Sequence, residues 1–252
     1  MTDMCSWFIV NRLSVSLEKT LYSIFHTRKK KVPDICNELV FNSTTIKREQ
    51  CAKYLGVDVD EKLDWNTHVK TVCNKLIKLA GSFKIIRGHI PTKCKRQLYY
   101  AYVYSQILYG IEVYGHTSKS NINKIQVLQN RILKILHVKD WFTATNTLHS
   151  ELCVLKIEDI FKLSLLQFVY KQRNNLLPNV FDNYFKSRQE IHSVNTRYSY
   201  KLEEVRARNK HGQSTVKYKG AKWFNQLPES ICQCNTLSSF KKRTKSHLIN
   251  QY

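Results

Sequence analysis

Hydrophobic residues recur at helical spacing through most of this chain. After Asp60 they fall three or four positions apart, which is the spacing of a buried helix face. Polar caps and prolines mark the ends of the periodic stretches. In chain order, the predicted helices cover about 69–86, 92–109, 118–138, 156–175, 221–226 and 237–250. In the second of these helices the spacing places Tyr102 and Tyr109 on the buried side.

The first 60 residues have a different pattern, which indicates mixed structure. Residues 7–11 are typical of a helix end, and the short aromatic run 21–26 favours a strand. Two apolar runs at 39–41 and 44–46 predict a hairpin. Residues 54–59 predict a further strand, in which Gly56 permits unusual backbone geometry. The expected fold class is therefore α+β, with a small antiparallel β-sheet at the N-terminus followed by a mainly α-helical bundle.

Charge narrows the choice of partners. The 252 residues contain 41 Lys and Arg against 19 Asp and Glu, a formal net charge of +22. Residues 61–135 and 186–252 each carry a net +10, whereas residues 136–185 are neutral and are the expected centre of packing. An excess of this size predicts a polyanionic partner, with nucleic acid ahead of an acidic membrane.

Cysteines and apolar runs exclude several other classes. Only Cys232 and Cys234 are close among the eight cysteines, and the single residue between them is too short for a usual zinc pair. We therefore expect reduced thiols and no metal site. No 18 apolar residues run together and no basic leader opens the chain. The expected location is intracellular, in the nucleus or the cytoplasm, without membrane contact.

Catalytic patterns are absent from the sequence. It contains no phosphate-binding glycine loop, no His-Glu-x-x-His motif and no adjacent pair of aspartates. Asp58 and Asp60 would share one face of a strand, with Glu61 and Asp64 close by. These acids could form a weak cation site, or they could cap a turn before a helix. The capped turn is the favoured interpretation.

A surface for nucleic acid is the strongest candidate for function. Lys93, Lys95 and Arg96 open the second helix, where cationic groups would meet phosphates. The densest basic set is interleaved with aromatic residues that stack on bases. It consists of Arg197, Lys201, Arg206, Arg208, Lys210, Lys217, Lys219 and Lys222. The alternative is a helical protein-interaction module, or an inactive folded remnant, whose charge merely solvates it.

Several motifs, taken in order, resemble one family. Trp7-Phe8, Asn11-Arg12-Leu13-Ser14, Glu18-Lys19-Thr20 and Phe25-His26 resemble the segment that follows the catalytic aspartates in reverse transcriptases of non-LTR retrotransposons, in the jockey-like and LINE-type group. Residues 53–57 resemble the primer-grip hairpin of that family. Further matches are Val59-Asp60, Leu63, Trp65, His68, Leu108-Tyr109-Gly110, Leu128-Gln129-Asn130-Arg131, Trp223 with Asn225, Leu227-Pro228 and Phe240-Lys241.

The resemblance implies a C-terminal part of an RNA-directed DNA polymerase. Such enzymes hold two Mg²⁺ ions on paired palm aspartates, which this chain lacks, so we expect no cofactor here and no activity by this chain alone. The implied divisions are a palm remnant and primer-grip hairpin (1–62), a helical thumb-like bundle (63–186) and a basic C-terminal region (187–252). The implied partners are RNA, DNA or an RNA–DNA hybrid, and the missing polymerase portion.

The resemblance also assigns roles to residues. Lys19 matches a lysine near the phosphates of the incoming nucleotide, where it can protonate the leaving group, although Ser16 replaces an asparagine usual nearby. Tyr54, Leu55 and Gly56 match the loop that holds the primer end. The predicted contacts to the nucleic-acid backbone are Lys70, Lys93, Lys95, Arg96, Arg197, Arg206, Arg208, Lys217 and Lys219.

Overall fold

The computed structural model describes residues 2–27, 30, 32–33, 39–41, 44–191 and 201–252. They form two compact units, Met1–Thr71 and Val72–Tyr252. Strands occur in the first unit and helices dominate the second, so the predicted α+β class is confirmed.

The described residues of the first unit form a short helix, five strands and the first turns of a long helix that continues into the second unit. Leu39–Phe41 and Thr44–Arg48 pair antiparallel, which confirms the predicted hairpin, and Leu21–Tyr22 adds to the second of them in parallel. The predicted strand over 21–26 is thus reduced to two residues. In chain order the elements are α1 (Thr2–Val10), β1 (Leu21–Tyr22), β2 (Leu39–Phe41), β3 (Thr44–Arg48), β4 (Cys51–Tyr54) and β5 (Val57–Asp60).

The predicted single strand over 54–59 is wrong. The chain reverses at Leu55 and Gly56, so that β4 and β5 form a hairpin closed by the pair of Tyr54 and Val57. Leu55 has φ 45° and Gly56 has φ 81°. Two successive left-handed residues are what a type I′ turn requires, because this turn matches the twist of the flanking strands. The hairpin suggested by the family resemblance is therefore confirmed.

Helices dominate the described residues after β5. The long ones are α2 (Asn66–Ile86), α6 (Lys119–His137), α8 (Ile157–Arg173), α11 (Val216–Asn225) and α13 (Leu237–Ile249). The shorter ones are α3 (Thr92–Leu98), α4 (Ser105–Leu108), α5 (Ile111–Tyr114), α7 (Thr145–Glu151), α9 (Arg188–Ile191), α10 (Lys210–Ser214) and α12 (Glu229–Cys232). A π-helical segment, Tyr99–Tyr104, joins α3 to α4, and Asn179–Phe181 forms a 3₁₀ turn.

The burial predicted for the tyrosine-rich helix is wrong. Tyr102 is 53% exposed and Tyr109 is 57% exposed, whereas Tyr99, Val103 and Ile107 are fully buried. Apolar and aromatic residues occupy more than one side of this helix, and residues four apart share a side, so the spacing alone does not decide which side is buried. The side that packs in the core is the one with Tyr99, Val103 and Ile107, and Tyr99–Tyr104 is π-helical there.

The core of the second unit is built around α8. This helix comes from the neutral stretch of the sequence and buries residues on most of its circumference, which confirms the expected packing centre. The ring of Tyr170 stacks on Phe240 of α13 at 4.4 Å between centroids, and its hydroxyl donates to the carbonyl of Cys234 at 2.7 Å. Because α8 carries little net charge, the two basic stretches can pack against it without burying their cations.

Gly220 allows α11 to approach α8 closely. A Cβ at this position would lie 2.9 Å from Phe185 Cζ and 3.0 Å from Val169 Cγ2. Both neighbours belong to the buried core, so neither side chain can move into solvent.

We expect Gly220→Ala to lower the free energy of unfolding by about 1–3 kcal/mol, because the added methyl overpacks the contact between α8 and α11. Denaturant unfolding measures this change. Gly81→Ala is the matched control, since Gly81 lies in α2 with no atom within 4 Å of the new Cβ. That control should gain about 0.5–1 kcal/mol from helix propensity. Equal effects of the two variants would contradict the close packing.

Candidate nucleic-acid interface

A buried polar network fixes the elements that carry the basic residues. The Nε2 of Gln129 donates to the hydroxyl of Tyr99 at 2.7 Å and to the carbonyl of Leu155 at 2.8 Å. The Oε1 of Gln126 accepts the backbone N–H of Ile157 at 2.8 Å. Together they join α6 to the π-helical segment and to the start of α8. Gln129, which lies in one of the motifs that resemble the family (residues 128–131), therefore has a structural role inside the core.

His149 belongs to the same network. It is fully buried, with Nδ1 2.9 Å from the carbonyl of Val154 and Nε2 2.8 Å from Oδ1 of Asn130. Burial lowers the pKa of His149, as it does for His116 and His137, and nearby lysines add to each shift. Burial therefore favours the neutral form of all three imidazoles in the folded protein.

We expect the second unit to lose stability as the pH falls below about 6.5, the pKa of histidine in an unfolded chain. A lowered folded-state pKa means that the unfolded chain binds protons first, so stability is complete above this pH and decreases below it. Denaturant unfolding at pH 7.5 and pH 5.5 measures the loss. His149→Gln should reduce the pH dependence, whereas the exposed His89→Gln should leave it unchanged.

Basic residues of three helices lie beside this network; those of α3 and α13 are cationic, whereas burial favours the neutral form of His137 in α6 by lowering its pKa. Lys93 and Arg96 of α3 line a cavity of about 230 Å³ together with His137. The charge of Lys95, on the same short helix, adds to the lowering of the pKa of His137. We call Lys93, Lys95, Arg96, His137 and Lys245 the basic cluster.

Tyr100 connects the basic cluster to α13. Its ring lies under the guanidinium of Arg96, at 5.7 Å from the centroid, and under Nζ of Lys245, at 4.9 Å. Nζ of Lys245 also donates to the tyrosine hydroxyl at 2.6 Å. An aromatic face attracts cations without neutralising them. The positive charges are therefore held together while their field remains available to an anion.

One acidic side chain lies at the edge of this region. Glu151 lines the same cavity, and its Oε2 is 2.9 Å from Nζ of Lys139. That lysine already balances its charge. The cationic groups of α3 and α13 therefore keep their excess charge.

Helix α13 contributes basic residues that the sequence reasoning did not select. Phe240, Thr244 and Leu248 form its buried side, and Lys241 and Lys242 are exposed. The helix contains no acidic residue between Leu237 and Ile249. An acid-free, lysine-rich amphipathic segment was the signal that could have identified it.

The remaining predicted backbone contacts are in different surroundings. Arg206, Arg208 and Lys217 are exposed, and Nζ of Lys217 is 5.8 Å from the ring centroid of Tyr184. Lys219 is half-buried, with Nζ 5.1 Å from the ring of Phe161 and 5.6 Å from that of Trp223, and burial lowers its pKa. Its ammonium therefore serves the packing of α11. Arg197 lies outside the described residues.

The predicted residues of the first unit lie on its surface. Lys19 is exposed in a turn, and Lys70 is exposed on α2. Tyr54 and Leu55 project from the tip of the β4–β5 hairpin, where the side chain of Leu55 is 74% exposed. A left-handed leucine costs about 1–3 kcal/mol of backbone strain. Asparagine and glycine are the residues that favour this left-handed conformation. The hairpin nevertheless has an exposed leucine there.

The acidic residues near this hairpin have structural roles. Oδ1 of Asp60 accepts the backbone N–H of Asp64 at 3.0 Å, and Oδ2 accepts that of Trp65 at 2.7 Å. Oδ2 of Asp58 accepts the hydroxyl of Thr71 at 2.8 Å. These contacts hold the turn before α2 and confirm the capped-turn interpretation.

Glu61 ties the strands of the first unit together. Its Oε1 accepts two hydrogen bonds from the guanidinium of Arg48, at 3.0 and 2.8 Å. His26 lies on the other side, with Nε2 3.5 Å from Oε2, and its backbone N–H donates to the carbonyl of Glu61. The carboxylate is buried, and removing one partner of such a pair costs about 3–5 kcal/mol.

In the described part of the chain, no three potential metal-ligating side chains come together. Among the helices of the same residues, none has the length and apolar character needed to cross a bilayer.

Comparison with known proteins gives relatives of one kind. Over 168 residues, 66% of this chain, it is 29% identical to the RNA-directed DNA polymerase from mobile element jockey of Drosophila melanogaster. It is 26% identical over 63% of its length to the probable RNA-directed DNA polymerase from transposon BS, and 26% identical over 54% to that from transposon X-element, both of the same organism. The aligned region spans 15–18% of these relatives.

Other comparisons add no further relatives. No family model and no solved structure matches the chain. The predicted resemblance is confirmed by the curated relatives: over more than half its length, the chain is homologous to a part of the jockey-type RNA-directed DNA polymerases.

Proposed function

We propose that this chain, as a relative of the jockey-type RNA-directed DNA polymerases, is a portion of a reverse transcriptase that holds primer and template. Its target is RNA, DNA or an RNA–DNA hybrid, bound through the backbone without sequence preference. The observation that carries the proposal is the basic cluster, in which cations of α3 and α13 share aromatic contacts, and those of α3 line a cavity with His137 of α6, with little opposing acid. We assign 1–62 to the palm edge and primer grip, 63–186 to a thumb-like bundle and 187–252 to a basic C-terminal region.

Electrostatics favours a phosphate backbone as the ligand of the basic cluster. Lys93 and Arg96 are exposed on one short helix, and Lys241 and Lys242 are exposed on α13. Each phosphate contact releases condensed counterions, which makes the affinity steeply dependent on salt. A backbone contact of this kind carries no base information, so the binding is non-specific.

The β4–β5 hairpin is the proposed primer contact. Tyr54 and Leu55 are held at its tip by a turn whose strain the surrounding strands must balance. An exposed leucine and tyrosine can pack against a sugar or a terminal base. We also propose that Lys19, exposed on the same unit, approaches the phosphates of the incoming nucleotide.

Polymerisation needs acidic residues that this sequence does not contain. Two-metal nucleotidyl transfer requires clustered carboxylates, and no Asp-Asp pair occurs among the 252 residues. We propose that Mg²⁺ binds with the palm aspartates of the rest of the polymerase, and that this chain is inactive without them. We propose a location in the nucleus or the cytoplasm, where such substrates occur.

The first unit also favours the rest of the polymerase as a partner. Trp7, Ile9 and Val10 of α1 and Phe25 are all more than half exposed. Apolar surface of this extent is typical of an interface. We expect the chain expressed alone to associate or to be poorly soluble, as light scattering would measure. A monomeric, cooperatively melting chain would contradict this expectation.

We expect binding to a labelled RNA–DNA hybrid to weaken linearly with the logarithm of salt concentration, because phosphate contacts dominate. Lys93→Gln/Arg96→Gln should make the slope shallower by about two, one unit for each contact removed. Fluorescence anisotropy across a salt series measures both quantities.

Lys119→Gln/Lys124→Gln is the matched control for this experiment. It removes the same charge from exposed positions in the first half of α6, about 20–27 Å along the helix from His137. This control should leave the slope nearly unchanged. Salt-independent binding by the intact chain would contradict the proposal and favour the interaction-module alternative.

Leu55→Asn tests the hairpin. Asparagine tolerates the left-handed conformation, so we expect the chain to gain about 1 kcal/mol in unfolding free energy. Loss of the exposed leucine should weaken binding to a primer-template, measured by anisotropy at constant salt. A more stable variant with unchanged affinity would show that the turn does not contact the primer.

A further inference from the structure

The segment between α6 and α7 exposes two adjacent aromatic side chains. Phe142 is 98% exposed and Trp141 is 64% exposed. Large aromatic side chains usually contribute to stability by being buried, and these two do not. Neither ring is used by the core or by the basic cluster.

Specific contacts nevertheless hold this segment. Helix α6 ends at Val138, which has φ 51°, and the backbone N–H of Lys139 returns to the carbonyl of Lys134 at 3.0 Å. Nζ of Lys134 donates to the carbonyl of Trp141 at 2.6 Å and lies 5.9 Å from the centroid of its ring. The rings are thus presented from an ordered turn.

Charge around the two rings suits phosphate. Arg131 and Lys134 lie three residues apart on α6, which contains no acidic residue from Lys119 to His137. The acid within the segment is Asp140, and Glu151, at the end of α7, is paired with Lys139. A basic or purely apolar partner would be less well matched than a nucleic acid.

We propose that Trp141 and Phe142 form a stacking site for unpaired nucleobases, with Arg131 and Lys134 holding the adjoining phosphates. This proposal rests on the proposed function, because it extends the basic cluster along the same bound strand. Bases inside a duplex already stack on their neighbours, so only a single-stranded extension offers free faces to the rings. Stacking of this kind is tolerant of sequence and combines with backbone contacts.

The test uses the full chain and two labelled RNA–DNA hybrids. Both carry a single-stranded extension of equal length, but in the second hybrid the extension is abasic, so that the phosphates are identical. We expect the hybrid with bases to bind at least about fivefold more tightly. Trp141→Leu/Phe142→Leu should abolish that preference, because leucine keeps the apolar surface but has no π-face. Binding of the abasic hybrid should persist in the variant.

A matched control exists in the sequence itself. Trp7 and Phe8 form the same dipeptide, so Trp7→Leu/Phe8→Leu removes the same groups from another surface and should keep the preference. Equal binding of the two hybrids by the intact chain would overturn the stacking site while leaving the proposed function intact. A preference retained by Trp141→Leu/Phe142→Leu would overturn it too, and would assign the rings to an apolar contact such as a second copy. Salt-independent binding of both hybrids would overturn the proposed function first.

Discussion

The Nε2 of Gln129 donates two hydrogen bonds inside the second unit, and the placement of the basic cluster depends on them. Its amide connects α6 to Tyr99 of the π-helical segment and to the backbone of Leu155 just before α8. Since Tyr99 is buried while its neighbour Tyr100 faces Arg96 and Lys245, fixing the first ring also orients the second. A buried amide without these partners would cost several kcal/mol, so the network admits essentially one arrangement.

A chain with a net charge of +22 must bring cations together without neutralising them. In the described part of the second unit it does so largely with aromatic rings. Lys134 lies beside Trp141, Lys217 beside Tyr184 and Lys245 beside Tyr100. A ring quadrupole stabilises a nearby cation by about 0.5–2 kcal/mol and leaves its charge in place. A carboxylate would give comparable stabilisation but would remove the attraction for a polyanion.

Carboxylates have the opposite role in the first unit. Glu61 binds Arg48 and faces His26, and Asp60 accepts backbone N–H groups before α2. These acids hold short strands that would bury too little surface to be stable otherwise. Several residues that the family resemblance singled out, including His26, Asp60 and Gln129, therefore stabilise the fold. The exposed members, Tyr54 and Leu55, are those left available for nucleic acid.

The sequence by itself determined the α+β class, the neutral packing centre, the bounds of α6 and α13 to within a residue or two, and the family. These features follow from the hydrophobic periodicity, the capping residues and the charge of each segment. All three depend only on residues that are close in the sequence. Tertiary structure alone decided that Tyr99 is buried rather than Tyr102, because this helix carries aromatic residues on more than one side and the surrounding core selects one of them. It also decided that Lys219 packs against aromatic rings, and that α3 and α13, 145 residues apart at Tyr100 and Lys245, share one cationic surface. Contacts over such separations depend on the shape of the whole core, which no local pattern encodes.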